Sequence, residues 1–340
     1  MTHRTTIAFG SMAALVAAAT VSLYAAEGGT KLYNDALRLL QEKGAAALDP
    51  AIELFQKAAA ADPDRADIRQ GLADALILKF ELKSPDNKAL LKTAVEHLER
   101  ALALRPGNAR AYFSRATARF DLGETRDGMA DLRKAVLADP ADTKFSVAYL
   151  QKLLDAGEKD NAADFAADSV ARVKDPAAAL KLYGDVFRSA GQNQAALDCH
   201  RRAFRSNPKR ADVALALADS LRLNAQHGEA IEVYTKALDL EPKLAPARFG
   251  RGFCQAALGD YAKAIDDTRE YLEAAPDDIS AVNNLALYLE KAGQPEEARK
   301  FWQKIKDHAG ATEAHRQRAE EHLAAKSPVP PKPAGPETKP

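Results

Sequence analysis

Five prolines divide this chain at a fixed interval: Pro106, Pro140, Pro208, Pro242 and Pro276 lie 34, 68, 34 and 34 residues apart. Pro63 precedes them by 43, so one repeat carries an insertion, after which the phase resumes. An interval of this length marks an array of helical repeats. Each repeat buries its apolar face only against its neighbours, and the resulting all-α solenoid presents an extended surface rather than one deep cleft. Function is therefore to be sought on a face that meets a partner.

Placing each proline at position 32 starts repeats near Ala109, Thr143, Ala177, Ala211, Ala245 and Ile279, with two less regular repeats before them. Small residues recur at position 20 as Gly128, Ala162, Ala196, Ala230, Ala264 and Ala298, where two helices must approach closely. Position 24 is bulky in Phe55, Leu98, Leu132, Tyr234 and Trp302, with Ala166, His200 and Thr268 as departures. Apolar residues within a repeat follow helical spacing, as in Ile231, Tyr234, Ala237 and Leu238, and no strand-like alternation is sustained. Each repeat thus reads as two short helices. Glycine at position 15 (Gly123, Gly157, Gly191, Gly259 and Gly293) permits the positive φ that ends the first helix. The proline ends the second, because the residue before it is pushed out of the helical region.

With these positions the chain resembles the tetratricopeptide repeat family, whose pattern has a bulky residue at 4, Leu at 7, Gly or Ala at 8, Tyr at 11, Ala at 20, Phe or Tyr at 24, Ala at 27 and Pro at 32. The repeat from Ala245 supplies Gly252, Gly259, Ala264 and Pro276; the next supplies Leu285, Ala286, Gly293, Ala298 and Trp302. The resemblance implies a right-handed helical solenoid of about eight helix-turn-helix repeats over residues 31–312, closed by a capping helix at 313–326. Two repeats depart from the pattern. The one from Thr143 has Lys174 where proline is expected and Pro176 two residues late, which predicts looser packing. The other holds the insertion, Glu81 to Lys92, whose Ser84-Pro85-Asp86-Asn87 cluster reads as a turn between two lengthened helices.

The ends differ in kind from the repeats. Residues 1–26 contain Arg4, no acid, and an apolar alanine-rich stretch from Ile7 to Ala26, which reads as a secretory signal peptide cut near Ala25 or as an uncleaved anchor. Either outcome puts the repeats outside the cytoplasm, periplasmic or secreted. Residues 327–340 form a proline-rich tail expected to be extended or disordered. The chain has 48 basic and 48 acidic residues, a balance that argues against a nucleic-acid or anionic-membrane surface. Cys199 and Cys254 fall in repeats that are not neighbours, so two unpaired, mostly buried thiols are expected.

No phosphate-binding glycine loop, nucleophile elbow, zinc-protease helix or paired-cysteine metal spacing is present in the sequence. His308, His315 and His322 are seven residues apart on what reads as a terminal helix. That is roughly 10.5 Å of rise, too far for two imidazoles to share a metal. His97 and His200 lie among apolar neighbours and read as packed histidines. The expectation is a chain that is not an enzyme and carries no cofactor.

The resemblance implies that the first helix of each repeat lines a concave groove through positions 2, 5, 9 and 12. Carried onto this chain, these positions give Phe113 and Thr117; Lys181, Asp185 and Arg188; Asp219 and Arg222; Phe249 and Phe253; and Asn283. Aromatics flanked by an amide can stack on a peptide and fix its backbone, which singles out Phe249, Phe253 and Asn283; the alternative reading of these residues is packing between repeats. One subclass of the family grips terminal carboxylates with a Lys and Asn, a second Asn, and a Lys and Arg from three successive repeats. Here Asp185 stands where the first Asn belongs and the third repeat offers Pro246 and Gly250, so that clamp is absent. The resemblance implies a scaffold or adaptor that holds a protein or peptide of the cell envelope, with a glycan or other envelope polymer as the alternative ligand.

Overall fold

A computed structural model describes residues 28–325; the segment expected to be a signal peptide or anchor and the proline-rich tail lie outside the described residues. All the regular structure described is helical. Eight antiparallel pairs follow one another: α1 (Gly29–Lys43) with α2 (Leu48–Ala61), α3 (Ala66–Lys83) with α4 (Lys88–Leu104), α5 (Ala109–Leu122) with α6 (Thr125–Ala138), and α7 (Thr143–Asp155) with α8 (Lys159–Ser169). They continue as α9 (Pro176–Ser189) with α10 (Asn193–Ser206), α11 (Ala211–Leu223) with α12 (His227–Leu240), α13 (Ala245–Ala257) with α14 (Tyr261–Ala274), and α15 (Ile279–Lys291) with α16 (Pro295–Asp307). A last helix, α17 (Glu313–Ala324), packs on α16. Within each run of pairs, the second helix of one repeat also packs on the first helix of the next, as repeat architectures require.

The punctuation has a local cause. The second helices end at Ala61, Leu104, Ala138, Ser206, Leu240 and Ala274, each two residues before its proline. The residue between has left the helical region, with φ from −126° to −148° in Asp62, Arg105, Asp139, Asn207, Glu241 and Ala275. Two residues after the proline, Asn108, Asp142 and Asp278 accept hydrogen bonds from backbone N–H groups of the next helix and so cap it. At position 15 the five glycines take φ between 71° and 90°. The sixth repeat places Ala225 there instead, and its φ is 57°, the left-handed conformation in an L side chain.

The core is built from the recurrent positions. Residues at position 24 are all buried, including the departures Ala166, His200 and Thr268. So are Ala162, Ala196, Ala230, Ala264 and Ala298 at position 20. Truncating a large member such as Tyr234 or Trp302 to alanine is expected to cost about 3–5 kcal/mol. The insertion lengthens α3 and α4 to 18 and 17 residues around a turn at residues 84–87. Cys199 and Cys254 are free and buried, and burial pushes both thiols up to about 11.

The helices fall into two compact units that divide between Lys174 and Asp175. The N-terminal unit holds α1 to α8 and the C-terminal unit α9 to α17. The division lies at the repeat whose proline is out of phase. There α8 spans only 11 residues and runs into a short 3-10 turn at Val170–Arg172. Pro176 does not close that helix: it is the first residue of α9, where its missing N–H is no loss, behind the cap Asp175, which accepts from Ala178 N–H at 3.0 Å.

Candidate partner-binding face

In the C-terminal unit the first helices α9, α11 and α13 lie side by side, so their position-9 and position-12 residues form one line. Asp185 and Arg188 on α9 recur one repeat later as Asp219 and Arg222 on α11. Lys181 donates to Asp185 Oδ2 at 3.0 Å and Arg188 to Asp185 Oδ1 at 2.7 Å. Arg188 also reaches Asp219 Oδ2 at 3.7 Å, and Arg222 lies 3.5 Å from Asp219 Oδ1. The guanidinium of Arg222 sits over the ring of Phe253, 5.5 Å from its centroid. Five of the expected site residues thereby form a ladder of alternating charge that ends on a sixth, the aromatic Phe253. The ladder residues are half-buried, and Phe253 is 40% exposed.

The ladder is braced from behind by residues at position 24. His200 on α10 is fully buried; its Nδ1 meets Ser220 Oγ at 2.7 Å and its Nε2 meets the Lys181 carbonyl at 3.2 Å, with Asp185 Oδ1 at 3.6 Å. The carbonyl can only accept, so Nε2 carries the proton in this arrangement and Nδ1 accepts from the serine hydroxyl. Burial would raise the Asp185 carboxyl, but the bonds from His200 and Lys181, together with nearby Arg188, bring it down to about 2. In the next repeat the Tyr234 hydroxyl donates to Asp219 Oδ1 at 2.6 Å and accepts from Arg222 Nε at 3.2 Å. Burial and the neighbouring Asp219 push that phenol well above its ordinary range. Each brace needs a glycine on the facing helix. A Cβ at Gly184 would strike the His200 ring, and one at Gly250 would strike the Tyr234 hydroxyl. The space that a side chain at position 250 would need is therefore filled by Tyr234.

Other expected site residues are used for packing. Phe113 stacks on Phe145 with ring centroids 5.3 Å apart, in a small apolar cluster of the N-terminal unit. The Thr117 hydroxyl donates to the Phe113 carbonyl at 3.1 Å, one turn back on its own helix. Phe249 is half-buried against Tyr271, at 4.8 Å between centroids. Asn283 corrects the expectation of an open amide: it is buried on α15, only 8% exposed. The three histidines are also reassigned. His308 lies beyond the end of α16, and His315 contacts Thr312. His322 stacks on Trp302 at 4.2 Å and shares Glu290 with the indole N–H, which docks α17.

The sequence reading passed over the braces Ser220, Tyr234, Gly184 and Gly250 as a group. Their signal was the pairing of a polar or aromatic position 24 with a glycine in a facing first helix. Among the described residues no group of three His, Cys, Asp or Glu side chains could hold a metal ion. No helix among them is long and apolar enough to cross a membrane.

Two tetratricopeptide repeat family models match the sequence, over residues 83–243 and 221–286, together more than half of the chain. No curated protein matches it significantly. Among solved structures, the C-terminal part of a TPR repeat-containing protein from Cytophaga hutchinsonii is 16% identical, with 86% of this chain and 100% of that one covered and a TM-score of 0.54. YrrB, described as a TPR protein with an unusual peptide-binding site, is 18% identical over 68% of this chain and 97% of its own, with a TM-score of 0.38. Yeast Tom70 is 16% identical over 89% of this chain and 65% of its own, at 0.44. The Cytophaga likeness speaks to the fold alone; the two family matches, in line with the helix pairs above, give one conclusion. The chain belongs to the tetratricopeptide repeat family.

Proposed function

We propose that this protein is a non-catalytic adaptor of the cell envelope that holds a peptide or protein partner on the first-helix face of its C-terminal unit. The observation that carries this reading is the ladder itself: five charged side chains held by one another and by buried braces, ending at an aromatic left 40% exposed. A preformed surface of this kind lowers the ordering cost of binding, and one aromatic anchor can supply a large share of the affinity. Export is supported by the character of residues 1–26 alone. The test is in-cell crosslinking from a photoreactive residue placed at Phe253, with mass spectrometry of the adducts. A defined envelope protein supports the adaptor reading. Adducts with glycan only, competed away by soluble polysaccharide, would replace it with a polymer-binding module.

A further inference from the structure

The ladder is unequal in what it leaves unused. Both carboxylates are committed: Asp185 to Lys181, Arg188 and His200, and Asp219 to Tyr234, Arg222 and Arg188. The cations are not. A guanidinium carries five N–H donors and an ammonium three. Within hydrogen-bond distance Arg188 spends one and Arg222 two, and Lys181 spends one on Asp185. The spare donors belong to side chains that are 26–34% exposed, so the face offers hydrogen-bond donors and positive charge to an incoming group while its negative charge is neutralised in place.

The spacing adds a second constraint. Arg188 and Arg222 hold the same position in adjacent first helices, which pack in contact. Packed helix axes lie about 8–10 Å apart. In a polyproline II segment, with a rise of about 3.1 Å and three residues per turn, side chains at i and i+3 share one face about 9.3 Å apart. A fully extended strand would put i and i+3 on opposite faces.

Building on the adaptor reading above, we propose that the occupant is a polyproline II-type peptide segment with acidic side chains at i and i+3, one on Arg188 and one on Arg222, and an apolar residue beside the second acid to cover Phe253. Each acid receives donors that the ladder leaves unspent, and the apolar residue shields the Arg222–Phe253 stack from water. The backbone enters already extended, so little ordering is lost on binding.

The test uses the full chain and fluorescein-labelled synthetic peptides read by anisotropy. The reference peptide carries Asp-Pro-Pro-Asp-Phe in a proline host; a second has Lys in place of both Asp, and a third moves the acids to adjacent positions. The reference peptide is expected to bind at least about tenfold more tightly than the lysine peptide and measurably more tightly than the respaced one. Arg188→Gln and Arg222→Gln should each weaken it by about tenfold. Equal binding of the lysine peptide, or indifference to both arginine variants, would overturn the proposal. The peptide comparison on the unaltered protein stays decisive if a variant fails to fold. A protein crosslinked at position 253 with no binding of the reference peptide removes this inference and leaves the adaptor reading; no crosslinked protein together with no peptide binding removes both.

Discussion

Removing Arg251 should cost far more than removing its counterpart Arg115, although both stand at position 7 and both make the same bidentate bond. Arg115 donates to Asp131 at 2.8 and 2.7 Å, and Arg251 to Asp267 at 2.8 and 2.7 Å. Both carboxylates are buried, with side chains 2% and 7% exposed. The difference lies in the second cation. Arg119 also reaches Asp131, at 2.6 Å, whereas Arg251 is the one cation paired with Asp267 among the described residues. Arg251→Met therefore strands a buried charge, a loss of about 3–5 kcal/mol. Arg115→Met leaves Asp131 paired with Arg119 and should cost about 1–2 kcal/mol. Hydrogen-exchange mass spectrometry suits a repeat array, in which stability is a local quantity. Amides of α13 and α14 in the first variant should exchange on the order of a hundred- to several-thousand-fold faster. Those of α5 and α6 in the second should change by about five- to thirtyfold. Arg251→Met with Asp267→Ala removes both charges and should recover most of the loss. Equal effects of the two single variants, or no recovery in the double variant, would refute the assignment of the cost to an unpaired carboxylate.

Three further expectations concern the C-terminal unit, whose unfolding is followed by fluorescence of the buried Trp302. Ala225→Gly relieves a left-handed alanine worth about 1–2 kcal/mol against an entropy cost of about 0.5–1 kcal/mol, so stability should rise by up to about 1.5 kcal/mol and the urea midpoint with it. Gly184→Ala and Gly250→Ala drive a methyl into His200 and Tyr234 respectively, and each should lower stability by about 1–3 kcal/mol; an unchanged midpoint would mean the braces are not packed as described. Because the folded-state Asp185 carboxyl is depressed to about 2, its contribution is present above the unfolded value of about 3.9 and is lost as pH falls from there toward 2. Stability measured across that window should fall with acid in the unaltered protein and fall less in Asp185→Asn.

Periodicity made the fold legible, since the prolines, the position-15 glycines and the small residues at position 20 act through the backbone or through contact with an adjacent helix. Such effects depend on neighbours whose identity the period itself predicts. The chain thus declared its helix pairs, their order and the turn at residues 84–87 through its sequence. It also placed Lys181, Asp185, Arg188, Asp219, Arg222 and Phe253 at positions 5, 9 and 12 of successive first helices. What it did not declare is which of those positions stay open. Asn283 and Phe253 both stood at expected groove positions; the structure buries the first, at 8% exposed, and leaves the second 40% exposed. The role of Pro176 likewise needed the structure, because a proline closes one helix or opens the next according to where its neighbour caps. His200 and Tyr234 each fit a glycine 16 residues away on a facing helix; the sequence shows the residue types, and only the packed helices show that they meet. The repeat set the backbone, and side-chain packing between neighbouring repeats decided which part of that surface is left to meet a partner.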